Sequence, residues 1–505
     1  MKKVSLLSLL LITLLSVSVL SSCSENNDVK ITPPSVILQD VGNITYNSAI
    51  ANVKVVKGTD DIKYVGIKYV IESQTDTINI SNYSADGVCV FDLNGLKYNS
   101  KYVVYAYATT INGETYRSSN STFSTLNGEL PKVSEVSLLE RYTDKVKVSS
   151  NVEVNPDFPI IEYGYYVSQN SDMSDAEQLT VDNLSVVINN LQPRKAYYIK
   201  AFAKNEIGES MSPKLYLETK SSGGAWSYAF STQGRFRAVA ASDGVNLYFG
   251  MGTRGSTALH DWNRYNISSN DITSLNTFPG SVEAGSGENG AFCIDNTVYV
   301  TCRDNTFWAY DIDNDKWSQR SSTTGERNHH IAISVNGKGY YGLGEFYNTD
   351  FWEYDPKDNN WTLVTNSPFQ WFSRHAVFSI GDDIYFEYRF LDDADFYKYN
   401  TKNKQWTKLS KFPGKATMDT FGFTIGTRGY VVVGMYEVNG SSAYTSELWE
   451  YTPIYDEWEK KADYPRSVVG VAGCSVGEKA YVGCGCTYSS PGYPSSDFYM
   501  FDPDK

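Results

Sequence analysis

Basic residues are outnumbered in this chain. There are 44 Lys and Arg against 58 Asp and Glu, for a formal charge of -14. A deficit of that size argues against a nucleic-acid partner, whose binders gather positive charge. Charged residues of both signs reach only 20%, and long stretches rich in Ala, Glu, Leu and Lys are missing. Coiled-coil, long-helix and collagen architectures are excluded with them. Beyond residue 20 no apolar run is long enough to span a bilayer, which excludes a polytopic membrane protein. Histidine is scarce, with only His260, His329, His330 and His375, and no catalytic triad is visible. What the chain does have is aromatic residues at 14%, with 39 Tyr, and 38 Gly. That balance predicts an all-β protein of many short strands and turns. A length of 505 residues suggests about three domains.

Residues 1–22 read as an export signal. Lys2 and Lys3 form its positive start, and the apolar core runs from Val4 to about Leu20. The end, Leu20-Ser21-Ser22-Cys23, resembles a lipobox. That resemblance implies cleavage before Cys23 and a diacylglycerol on its thiol. Residues 23–30 follow as a polar tether, so acyl chains would hold the protein to a membrane without a spanning helix. The acidic start of this tether resembles the surface-export signals of Bacteroidetes lipoproteins. An outer-membrane position facing the cell exterior is the expectation. Six further Cys, at 89, 293, 302, 474, 484 and 486, show no metal-ligand spacing. They read as small buried hydrophobes.

Residues 31–127 and 131–221 form a tandem repeat. The first has Leu96, Tyr102, Ala106 and Ala108; the second has Leu191, Tyr197, Ala201 and Ala203. Leu and Tyr are six apart in both. Such a Tyr can fold over a sandwich corner and hydrogen-bond backbone with its hydroxyl. The pattern resembles the fibronectin type III family, with a related immunoglobulin-like sandwich open for the first module, where Tyr98 replaces the family's Pro. Neither module concentrates His, Cys or paired carboxylates, so both read as spacers. Ser221-Ser222-Gly223-Gly224 marks the following linker.

Residues 225–505 carry a different repeat. Two aromatic positions, a Tyr and an Asp or Asn precede a polar turn and a Trp. Tyr310, Tyr354, Tyr399 and Tyr451 are each followed seven residues later by Trp317, Trp361, Trp406 and Trp458. A weaker copy surrounds Tyr265, and a last one ends at Phe501. A period in the forties to low fifties is that of a propeller blade of four strands. A hairpin with a Gly or Asx turn precedes each copy and carries Tyr248, Tyr299, Tyr340, Tyr385, Tyr430 or Tyr481. Six copies in register resemble the Kelch family and imply a six-bladed propeller. The sixth copy ends before its outer strand. The segment around Trp226 is free to supply that strand and close the ring, which removes exposed edges.

With strands named a to d from the channel outward, the a–b and c–d turns share one face and are short. The b–c and d–a connections share the other face and are longer, and long loops on a rigid scaffold usually carry function. The b–c loops are expected at 252–258, 302–306, 344–350, 388–395, 435–446 and 486–497. Counting back from the hairpin Tyr, Arg235 and Arg327 stand at −13. At −11 stand Arg237, Glu288, His329, Arg374, Asp419 and Gly470. Positions two apart share one side of a strand. A mixed ring of Arg with Glu288 and Asp419 is therefore expected around the opening, with Trp371, Tyr436 and Tyr444 to stack on sugar rings. The Kelch resemblance equally implies structural Arg residues bonding between blades.

Three functions fit these residues. The first is a lipid-anchored surface protein that binds an extracellular glycan or glycoprotein. The second is an enzyme like the sialic-acid mutarotases or epimerases, which include Kelch propellers with Arg at the channel mouth. The third is a docking subunit for an outer-membrane uptake complex. No cofactor is expected, and catalysis is not assigned to any residue. The run Asp311-Ile312-Asp313-Asn314-Asp315 has a calcium-loop composition but occupies a c–d turn that the repeat already explains.

Overall fold

The computed structural model describes residues 30–505 apart from 72–73, 81–86, 284–288, 346, 371, 373, 391–392 and 488–492. Cys23 and its leader, Glu288 and Trp371 lie outside the described residues. Among those described, the architecture is all-β and no helix is long and apolar enough to cross a membrane.

Strands Ser35–Gly42, Ser48–Val56 and Val88–Asn94 form one sheet, and Ile62–Ile71 with Lys101–Thr110 centres a second. Alternation turns Ala49, Ala51, Val53 and Val55 inward. They meet Val65, Ile67 and Val104 of the second sheet in a common core. Residues 137–218 repeat this pairing of a three-stranded sheet with a larger one. In both, the Tyr hydroxyl accepts a backbone hydrogen bond from five residues upstream. Lys97 N reaches Tyr102 and Gln192 N reaches Tyr197, each at 2.8 Å.

From Ala225 onward the described strands form six four-stranded antiparallel sheets and one two-stranded ribbon, Thr253–Arg254 with Thr257–Ala258. Their inner strands are Val239–Ser242, Gly290–Ile294, Ile331–Val335, Val377–Ile380, Phe421–Ile425 and Val469–Val476. Each approaches the next, and the last approaches the first, so the sheets close into a ring. The sixth sheet takes its outer strand, Ala225–Ser231, from the start of this region, with Trp226 opposite Phe501.

The seven-residue Tyr–Trp spacing has a physical cause. Tyr310 donates to Asp315 Oδ1 (2.8 Å), which also accepts from Asn276 N of the preceding sheet (2.9 Å). Trp317 Nε1 then donates to the Asn276 carbonyl (2.9 Å). The third sheet repeats this staple through Tyr354, Asn359 and Trp361 onto Ser321. Asp315 and Asn359 have φ of 47° and 49°, a left-handed turn that Asx side chains tolerate better than most. Asp311 is spent in the same turn, accepting from Asp313 N and Asn314 N at 3.1 Å.

Two features go beyond the expectations. First, the linker segment Ser221-Ser222-Gly223-Gly224 is pinned. Ser221 is buried, and its Oγ donates to Glu450 (2.6 Å); Ser222 Oγ donates to the Pro503 carbonyl (2.5 Å). Around this segment Glu218 pairs with Arg428, and Arg194 pairs with Asp504 (3.1 Å) and Glu478 (3.0 Å). Arg141 pairs with Glu457 (2.6 Å) and lies 3.8 Å over the Tyr455 ring. The composition hid these partners because they come from the far end of the chain. Second, the stretches expected as loops at 388–395 and 435–446 largely continue the ladder. Strands Asp383–Phe390 and Asp393–Asn400 pair to their tips, as do Arg428–Val438 and Ser441–Thr452 beyond a bulge at Val432/Gly434.

Candidate active or binding site at the channel mouth

The inner strands line a cavity of about 540 Å³. Small residues clear it: Ala240, Ala291, Ala332, Gly422 and Gly473 stand at −8 from the hairpin Tyr, with Val377 in the fourth sheet. Two residues further along, Ser242, Cys293, Ser334, Ser379, Thr424 and Ser475 form a second level. Inner strands of neighbouring sheets share no ladder, and these side chains bridge the gap. Ser334 Oγ donates to the Cys293 carbonyl (2.8 Å), Ser379 Oγ to that of Ser334 (3.4 Å) and Thr424 Oγ1 to that of Ser379 (2.7 Å). Ser475 Oγ donates to the Thr424 carbonyl. The belt stops at Cys293, whose thiol turns to the Asp295 carbonyl. Burial pushes the Cys293 thiol up to about 12, so it stays protonated at neutral pH. Sequence reasoning missed this belt, although a small polar residue recurs six positions before every hairpin Tyr.

The mouth is built at −11. Arg237, His329, Arg374, Asp419 and Gly470 all have left-handed φ, from 53° to 63°. For an L-residue this costs on the order of 1 kcal/mol, and such strain concentrates where a structure positions function. The reversal also turns backbone sideways: the Gly470 carbonyl accepts from Arg237 N (2.8 Å) and that of Arg374 from Thr420 N (3.1 Å). Gly470 is required there, because a Cβ would stand 2.2 Å from the Phe236 ring.

Arg237, Arg374 and Asp419 are brought together on the cavity wall, with His329, His330, His375 and Phe372. Arg374 Nε lies 3.6 Å from Asp419 Oδ1, and His329 Nδ1 lies 2.8 Å from Glu345 Oε1. Arg235 and Arg327 are placed elsewhere. Arg235 is fully buried and forks onto Asp261 (2.9 and 2.8 Å), adding the Met251 carbonyl (3.2 Å). Arg327 makes the same fork onto Asp350. Burial alone would raise both carboxyls, but the guanidinium hydrogen bonds hold Asp261 and Asp350 below the usual carboxylate range. The donors of these two Arg residues are directed into the fold. Tyr436 and Tyr444 are separated: Tyr444 lies opposite Met435 and Tyr436 opposite Ala443, so they occupy opposite faces of one hairpin. Tyr444 packs towards Phe236, Val469 and Cys486, and neither ring lines the cavity.

Sequence reasoning also missed Glu387, which is fully buried behind His375 at 3.2 Å. The signal was a lone carboxylate in the apolar run Ile384-Tyr385-Phe386. Among the described residues, no group of three His, Cys, Asp or Glu converges to hold a metal.

No protein-family model matches this chain. No curated protein matches it either. Among solved structures, that of YjhT aligns at 16% identity, covering 54% of this chain and 97% of that one, with a TM-score of 0.46.

Proposed function

We propose that this protein is an envelope lipoprotein whose ring is a six-bladed Kelch-type propeller that binds an extracellular glycan or glycoprotein at the channel mouth. The supporting observation is the convergence of Arg237, Arg374 and Asp419, from three different sheets, on one cavity. Guanidinium groups offer paired donors to carboxylates and sugar hydroxyls. The second sandwich module covers turns of the opposite face through Arg428, Tyr455 and Glu478, which leaves the mouth directed away from that contact. A glycan array probed with residues 28–505, compared with the Arg374→Ala variant, tests this reading. Equal binding by both proteins, or binding by neither, counts against it.

A second reading, a mutarotase- or epimerase-like enzyme, is favoured by the mixture of cations, imidazoles and a carboxylate in one cavity. Following anomer interconversion of a sialic acid by NMR separates the two.

A further inference from the structure

Glu387 is the anomalous side chain of the ring. It stands two residues after the hairpin Tyr, where the other sheets carry Gly250, Thr301, Gly342, Val432 and Gly483. Its Oε2 accepts from His375 Nδ1 (3.2 Å) and from Thr420 Oγ1 (2.8 Å). Thr420 Oγ1 itself accepts from Ala376 N (2.8 Å), which commits the hydroxyl proton to Glu387. Oε1 is buried without a hydrogen-bond partner. A buried carboxylate left half-satisfied is unfavourable, and its presence points to a use.

That use is visible in the imidazole. A carboxylate only accepts, so Nδ1 of His375 carries the hydrogen and Nε2 keeps a lone pair. His375 lines the cavity, and its Nε2 bonds to no described residue. Phe372 and Tyr388 hold the ring at centroid distances of 5.3 and 5.9 Å. His330 differs, because Thr301 Oγ1 (2.9 Å) and the Arg327 carbonyl (3.3 Å) occupy both of its nitrogens. Among the described residues, Glu387 and Tyr388 of its own sheet touch His375, Arg374 stands beside it in the chain, and Asp419 of the next sheet pairs with Arg374.

We propose that His375 is a catalytic general base of the mouth, with Glu387 as its positioning residue, acting on an anionic, hydroxylated ligand held by Arg374. The O–H bond of a ligand hydroxyl breaks, its electron pair stays on oxygen, and the proton forms N–H on Nε2. Glu387 balances the imidazolium, and the reverse transfer restores the neutral ring. The inference rests on the mouth being the ligand site.

The test is carbethoxylation by diethyl pyrocarbonate, which attacks accessible unprotonated imidazole nitrogen. The full mature chain is treated across a pH series, and each histidine is read by peptide mass spectrometry. His375 is expected to react at least about tenfold faster than His330, whose nitrogens are engaged. In Glu387→Gln the midpoint of the pH profile moves down, because a neutral amide no longer favours the imidazolium. Glu387→Asp keeps the charge and restores the parental midpoint. A His375 that reacts only after unfolding overturns the proposal, as does an unchanged midpoint in Glu387→Gln. The chemistry needs no ligand, so the outcomes separate. An unreactive His375 in a protein that binds glycans sinks this inference alone, whereas a reactive one in a protein whose mouth takes no ligand sinks the binding reading and, with it, the role given to His375.

Discussion

Trp226 Nε1 donates to the carbonyl of Ala462 at 2.9 Å, across 236 residues of sequence. The bond repeats the one from Trp317 to Asn276 and from Trp361 to Ser321. A strand from the start of the ring thus supplies the sixth sheet with the latch that the second and third sheets carry after their own Tyr, whereas Trp406 and Trp458 of the fourth and fifth keep their Nε1 buried without a partner. The Trp226 ring also lies 4.9 Å from Tyr464 and 5.0 Å from Phe501, so closure combines a directional bond with aromatic packing.

Replacing Trp226 with Phe separates those two contributions. The ring packing largely survives, the N–H donor is lost, and the half-buried Ala462 carbonyl loses a partner. The expected loss is about 1 kcal/mol in denaturant unfolding, with a similar loss for Trp361→Phe. A fragment starting at Phe236 lacks the whole strand and leaves the sixth sheet with an open edge. It is expected to aggregate under conditions where residues 132–505 stay soluble in size-exclusion chromatography.

The hydroxyl belt gives a prediction of opposite sign at two positions. Thr424→Val removes the donor to the Ser379 carbonyl with little change of shape, and about 1 kcal/mol of stability should go with it. Cys293→Ser introduces a hydroxyl at the level where the belt stops. It is expected to be neutral or stabilising, by less than about 1 kcal/mol. Paired thermal melts check both, and a Cys293→Ser variant that melts well below the parent contradicts the belt as an additive set of links.

The repeat was legible because its spacing reflects local geometry. Tyr, Asx and Trp lie on one hairpin, so their separation is fixed wherever the staple forms. The closing strand was legible because a four-stranded unit that ends one strand short demands a donor. What stayed hidden depends on partners far apart in the chain. Nothing near Ser221 announces Glu450 or Lys461 as its contacts. Arg235 and Arg237 look alike in sequence, yet one forks onto Asp261 and the other reaches the cavity. The difference is the left-handed turn at Arg237, which no residue type at that position signals, because Arg, His, Asp and Gly all adopt it. Tyr436 and Tyr444 were grouped as loop residues, whereas a continued ladder sets them on opposite faces.

The contact between the second sandwich module and the ring should weaken in acid. Burial pushes Glu218 up, but the charge of Arg428 and hydrogen bonds from Tyr216, Arg428 and Thr427 outweigh it, so its carboxyl sits below its usual value of 4.5. A carboxyl depressed in the folded state contributes stability that is present above its unfolded value. That contribution is lost as pH falls through the folded value. Proteolysis within 221–224 is therefore expected to be slow at neutral pH and to accelerate below about pH 4.5. In Glu218→Gln this acid-dependent part should vanish, with faster cleavage already at neutral pH. A parent protein cut equally fast at pH 7 and pH 4 argues against a closed joint.

The two classes of Arg should respond to truncation in opposite ways. Arg235 is fully buried and bidentate with Asp261. Arg235→Ala leaves that carboxylate without its cation and opens a cavity, at a cost on the order of 3 kcal/mol in unfolding. Arg374 is partly exposed at the mouth, with Asp419 at 3.6 Å. Arg374→Ala should lower stability by only about 1 kcal/mol, while a lost charged contact weakens ligand affinity by roughly tenfold or more. Lys357→Ala, in an exposed c–d turn of the other face, serves as the control and should change neither. Unfolding curves and binding isotherms on the same three variants decide the matter. Normal binding by Arg374→Ala together with lost binding by Lys357→Ala would move the site to the opposite face of the ring.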